Sequence, residues 1–178
     1  MNDLSTLAEE EDALRGVVGS LTGPMEEKAS HLAKLGVYDQ YQGIFHRYVA
    51  LLGDPSAGTE ALKRALFLGW YNLSEPACFT GLHLVDDGRQ WICVCEVADA
   101  TIGRGNLDQE LAWMLPYYYD LTDFAFAGLA TQPNLAAFLG RADPDGYRTA
   151  PVEQHQLRHR GQMGHYWQSI FDSLSRAI

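Results

Sequence analysis

The chain has 178 residues, 47% of them hydrophobic, and carries 23 acidic against 13 basic residues for a net charge of -10. This length suits one domain able to bury roughly two thirds of the surface its unfolded chain exposes, so neither disulfides nor a metal is required to hold it together. The acidic excess opposes non-specific nucleic-acid binding and favours a basic partner.

From Leu4 the apolar positions Leu4, Leu7, Leu14, Val18 and Leu21 recur at helical spacing beside the acidic run Glu9 to Asp12, and the pattern stops at Gly23-Pro24. Pro24 and Gly36 frame a second, short helix with Ala29, Leu32 and Leu35. A third follows, with Tyr41, Ile44, Tyr48 and Leu51 on one face, and Gly53-Asp54-Pro55 ends it. Thr59 opens a fourth in which Leu62, Leu66, Gly69 or Trp70, and Leu73 align, Glu60 precedes Arg64 by four residues as an ion pair, and Pro76 stops the helix.

Leu82 to Ile102 supports two readings. Asp86-Asp87-Gly88 between Leu82–Val85 and Trp91–Cys95 has the local signature of a β-hairpin around residues 82–97. Trp91, Cys95, Ala98 and Ile102 instead share one helix face, and a lone hairpin in a helical chain would have no sheet to join. Beyond Gly103-Arg104-Gly105, Asn106 and Gln109 are spaced as a reciprocal helix cap. Leu107, Leu111, Met114, Tyr118 and Leu121 continue as an apolar face in which Pro116 is expected to bend or restart the helix. Asn134 to Leu139 is a short helix ended by Gly140. From Val152 the chain becomes helical again, with Met163, Trp167, Ile170 and Leu174 facing the core. The expected fold is therefore all-α: one helical bundle of seven or eight helices spanning residues 1–178, with the hairpin near 82–97 as the rival reading.

His155, His159 and His165 are the clustered metal-type ligands, and His155 and His159 would share a helix face as a zinc pair does. Arg158 and Arg160 would repel a cation there and no Glu follows the first His, so no metal is expected. The three cysteines, Cys78, Cys93 and Cys95, cannot all pair and are read as reduced. No Gly-x-Ser-x-Gly elbow, dinucleotide fingerprint or phosphate loop occurs, so neither a catalytic set nor a cofactor is expected, although an enzyme built from scattered residues stays open. No apolar run approaches the ~20 residues of a membrane span and no leader opens at Met1, so the expectation is a cytoplasmic protein without membrane contact.

Two segments concentrate Trp and Tyr: Phe67 to Pro76, with Trp70, Tyr71 and Glu75, and Trp113 to Tyr119. Glu75 beside two amphipathic rings could bind a cation or polar ligand, although it also suits the first turn of a following helix. At ~100° per residue, Tyr118 on the buried face forces Tyr117 and Tyr119 to diverge from it, and tyrosines that reach the surface supply rigid contact area. Lys63 and Arg64 leading into Trp70-Tyr71, then Glu75-Pro76, Thr80-Gly81 and Trp113 to Tyr119, together resemble a loosely defined group of small all-helical bacterial proteins of unknown activity. The resemblance spans about residues 40 to 140; it implies a helical fold and carries no catalytic residue to this chain.

The expected function is non-enzymatic: binding of another protein, a basic one by charge complementarity, with neutralisation of a bacterial toxin as its sharpest form. The alternative is a small-molecule-binding protein or enzyme with an aromatic pocket around Trp70, Tyr71, Glu75 and Tyr117 to Tyr119. A cleft at Glu75 would favour the pocket and a convex acidic patch the partner.

Overall fold

The computed structural model describes residues 3–54, 56–85, 88–128 and 131–176, and among them the regular structure is entirely helical. Nine α-helices follow in order: α1 Asp3–Ser20, α2 Met25–Lys34, α3 Val37–Ala50, α4 Gly58–Ser74, α5 Ala77–Thr80, α6 Arg89–Gly103, α7 Gln109–Leu121, α8 Pro133–Leu139 and α9 Gly161–Arg176. The expected short helix at Asn134 to Leu139 is present as α8, and the four-residue α5 is the helix that periodicity does not show. No described helix is long and apolar enough to cross a membrane.

Helix α4 is the axis of the bundle. Every residue from Ala61 to Trp70 is buried, including Lys63 and Arg64, so this helix is covered on all sides by α3, α6, α7 and α9 rather than along one stripe. A helix that is enclosed all round needs small or apolar side chains wherever a neighbour crosses closely. Gly69 meets that need, because a Cβ there would overlap the indole of Trp91 on α6.

The rival readings of 82–102 resolve by where the backbone donors go. Leu82 N–H donates to Thr80 Oγ1 at 3.0 Å and Leu84 N–H to Asn72 Oδ1 at 2.9 Å, so side chains of α5 and α4 satisfy this short non-helical segment and no second strand pairs with it. Gly88, at φ +78°, then caps α6, which starts at Arg89; Asp86 and Asp87 of the expected turn lie outside the described residues. Helix α7 is capped by Asp108, whose Oδ1 accepts from Leu111 N–H at 2.8 Å, in place of the expected Asn106 and Gln109 pair. It runs through Pro116 without restarting, and its last residue, Leu121, turns outward instead of extending the buried face.

The expected helix from Val152 starts only at Gly161. His159, at φ +61°, and Gly161, at φ +59°, both take the left-handed conformation, and a 3-10 turn at Gln154–Leu157 precedes them. His155 and His159 therefore share no helix face. Arg160, between the left-handed His159 and Gly161, turns inward to the carboxylates of Glu60 and Glu110.

Candidate functional site

Of the aromatic residues that the sequence singles out, the structure brings Trp70, Tyr71 and Tyr117 together around Tyr166, with Trp70 stacked on Tyr71 at 5.8 Å, and leaves Tyr119 on another side. Trp70 is buried, its ring stacked on Tyr118 with centroids 4.4 Å apart, so it belongs to the core. Tyr71 and Tyr117 are half-buried and both lie against Tyr166 of α9, whose hydroxyl bonds that of Tyr117 at 2.6 Å. Tyr119 is half-buried on another side of α7, against Phe126. Glu75 is exposed at the end of α4, close enough to Tyr71 for its charge to help burial raise that phenol's pKa. These residues do not enclose one pocket.

Below the aromatic layer is an ionic cluster that sequence reasoning reached only through the Glu60–Arg64 spacing. Arg160 donates from Nε and Nη2 to both Glu60 oxygens, at 2.8 and 2.5 Å, and from Nη1 and Nη2 to both Glu110 oxygens, at 2.9 and 2.8 Å. Lys63 Nζ lies 2.6 Å from both Asp108 and Glu110, and Arg64 Nε donates to Glu60 at 2.7 Å. Burial disfavours the charges of Arg160, Asp108 and Glu110, but the mutual hydrogen bonds and Coulomb attraction outweigh it: Arg160 is shifted upward and Asp108 and Glu110 downward, so all three stay charged.

Arg64 also links this cluster to a second buried chain. Its Nη1 donates to Tyr48 Oη at 3.2 Å and Leu4 O at 2.7 Å, while the Tyr48 hydroxyl donates to Glu11 Oε1 at 2.5 Å. Glu11 Oε2 accepts from Gln162 N–H at 2.9 Å, and a Cβ on Gly161 would overlap the carboxyl group. Burial pushes the Glu11 carboxyl up to about 7 despite the bonds from Tyr48 and Gln162. Helices α1, α3, α4 and α9 are thus joined by polar contacts at the centre of the fold.

Reactive chemistry finds little support in this arrangement. His165 Nε2 lies 2.9 Å from Asp12 Oδ1 on the surface, and Ser169 follows one turn later, but the Ser169 hydroxyl donates to Tyr166 O rather than to the imidazole. Burial pushes the Cys95 thiol up to about 12, which keeps it protonated and unreactive. Among the described residues no group of three or more His, Cys, Asp or Glu is placed to hold a metal.

The most exposed aromatic feature was missed by periodicity because it lies on a 3-10 turn, Asp123–Phe126. Phe124 is 60% exposed and stands between two adjoining grooves of about 260 and 460 Å³ that share Phe124, Phe126 and Ala127. Ile92, 48% exposed on α6, lines the first groove; Leu121, 51% exposed, ends α7 two residues before the turn. Asp123 lines the second, and Asp120 and Glu96 are exposed on the neighbouring turns of α7 and α6. Compared with known proteins, the chain matches no family model and, at significant similarity, no curated protein and no solved structure.

Proposed function

We propose that the chain works by binding another protein through the face around Phe124, and that its partner presents apolar side chains within a basic surface. The observation that carries this reading is the exposed phenylalanine between two grooves. Folding gains nothing from leaving such a ring in water, whereas a contiguous apolar patch rimmed by polar groups is the usual form of a contact surface. Asp123 in the wall of the second groove, on a chain of net charge -10, favours a basic partner and speeds its approach at long range. Neutralisation of a toxin by covering a basic functional surface is the sharpest form of this role. Trp70 and Tyr117 are packed against other rings and Tyr119 lies on another side of α7, which weighs against the alternative of one aromatic pocket.

The test is to mix the purified chain with the purified product of the gene beside its own and read the mass of the mixture by size-exclusion chromatography with light scattering. One complex is expected, weakened at least tenfold by Phe124→Asp at an unchanged melting temperature. Separate elution overturns the choice of partner. A complex indifferent to both Phe124→Asp and Ile92→Asp overturns the choice of face.

A further inference from the structure

We propose that the groove between α6 and the turn Asp123–Phe126 binds a small, uncharged aromatic molecule with an amide or lactam edge, its ring against Trp91 and Phe124 and its edge paired with the carboxamide of Gln132. The groove, about 260 Å³, lies below the roughly 300–1,000 Å³ of sites for drug-sized ligands and suits a single ring with one polar substituent.

Gln132 is 3% exposed, yet it lines the groove together with Trp91, Ile92, Cys95, Phe124 and Phe126. Its backbone carbonyl accepts from Ala136 N–H at 3.0 Å, but its carboxamide makes no hydrogen bond to a described residue. Among those residues the unbonded polar side-chain atoms sealed from solvent are Trp70 Nε1, Gln90 Oε1 and Gln162 Oε1. The Gln132 carboxamide is not one of them: it is unbonded within the chain and still reached from outside, and the groove is where Gln132 meets the outside. An almost wholly buried amide that bonds no neighbour is rare in a native protein and calls for a partner from solution.

The rest of the wall says what that partner is. Cys95 is the one titratable side chain on the described wall, and burial keeps its thiol protonated, so nothing there balances a charge on a ligand. Trp91 is held by its Nε1, which donates to Ala125 O at 2.8 Å, and stands edge-on to Phe126 with centroids 5.5 Å apart, so its ring is in position before a ligand arrives. Phe124 adds an exposed ring that a flat apolar guest covers. A carboxamide offers one donor beside one acceptor whichever way its ends are assigned, and the group that answers both at once is another amide or a lactam. A water in the groove finds no second amide, hydroxyl or charged side chain on the wall to hold it, so a ligand that remakes both bonds displaces it with a gain.

Titration of the intact, isotopically labelled chain, followed by NMR, tests this with three molecules of one shape: benzamide, acetophenone, which has a methyl in place of the amide nitrogen, and benzoate, which is charged. Benzamide should bind saturably, about tenfold or more tighter than either of the others, and should move the Gln132 side-chain and Trp91 indole signals. Gln132→Leu removes an amide that holds no neighbour, so it should melt no lower than wild type and should bind benzamide and acetophenone alike. The comparison of the three ligands on wild type decides the matter even if the variant does not fold. The proposal is overturned if benzamide shows no saturable binding, if acetophenone or benzoate binds wild type as tightly, or if the preference for benzamide survives in Gln132→Leu. No partner protein enters the measurement, so its failure is distinct from failure of the partner reading.

Discussion

Arg160 holds Glu60 by both oxygens, Nε to Oε1 at 2.8 Å and Nη2 to Oε2 at 2.5 Å, across one hundred residues of chain. Such a bidentate pair fixes orientation as well as distance. Since Glu110 is held by the same guanidinium, removing it leaves two poorly solvated carboxylates beside each other with only Lys63 and Arg64 to compensate. Arg160→Met should therefore cost about 3 to 5 kcal/mol in urea unfolding, the usual consequence of breaking a buried pair from one side. A loss under about 1 kcal/mol would place the cluster with exposed ion pairs of little worth.

The pH dependence of stability should carry the signature of Glu11. Its folded pKa, about 7, lies above the ordinary 4.5, so between those values the folded protein binds a proton that the unfolded chain has released. The contribution is greatest below about pH 4.5, falls as pH rises towards 7 and is constant above, a span of about 3 kcal/mol. Glu10, Asp99, Asp108 and Glu110 are shifted downward and act in the opposite sense, losing stability at low pH. The measurement is therefore a difference: from pH 8 to pH 5, wild type should gain stability relative to Glu11→Gln. A constant difference would show that Glu11 titrates normally.

Trp70→Ala should cost about 3 to 5 kcal/mol through lost burial and the cavity left behind. Tyr117→Phe removes the hydroxyl contact to Tyr166 and should cost about 1 kcal/mol. Tyr119→Ala, at a half-buried position, should fall well below the Trp70 variant. Chemical denaturation of the three proteins gives the order, and a nearly neutral Trp70→Ala would contradict its place in the core.

Two glycines give opposite expectations for the same substitution. Gly69→Ala places a methyl in the Trp91 ring where α4 and α6 cross, and overpacking of this kind costs about 1 to 3 kcal/mol. Gly43 lies inside α3 with nothing within 4 Å of a built Cβ, so Gly43→Ala should stabilise by up to about 1 kcal/mol through helix propensity. Melting temperatures that move in the same direction would refute the pair.

The bundle was legible where one helix face is apolar and a glycine or proline ends it: Gly23-Pro24, Gly36 and Pro76 stand next to the observed ends of α1, α2 and α4. Tyr118 and Trp70 were legible as core for the same reason. Periodicity could not show that α4 is enclosed on every side, because Lys63 and Arg64 look like a solvated face until Glu110 and Arg160 arrive from distant parts of the chain. Nor could it place Gln162, whose neighbour Gly161 reads locally as a weak point in a helix and in fact lets Glu11 approach. Phe124 escaped because a four-residue turn has no repeat to detect. Local patterns mark what each helix hides, whereas polar groups that meet across the bundle become visible only when the helices are assembled.

Helix α9 brings its contacts to elements made far earlier, and that fixes an order of events during translation. Until residues 160–167 emerge from the ribosome, Glu60 and Glu110 lack their arginine, Glu11 lacks the Gln162 backbone donor, and Trp113 and Tyr118 lack the ring of Trp167. Until then the nascent chain carries an unfinished, charged and aromatic interior, the condition in which chaperones and proteases sort chains. Quality control of this protein should consequently sense damage in α9 sooner than equal damage at Phe124, because only the former leaves these buried groups without their partners.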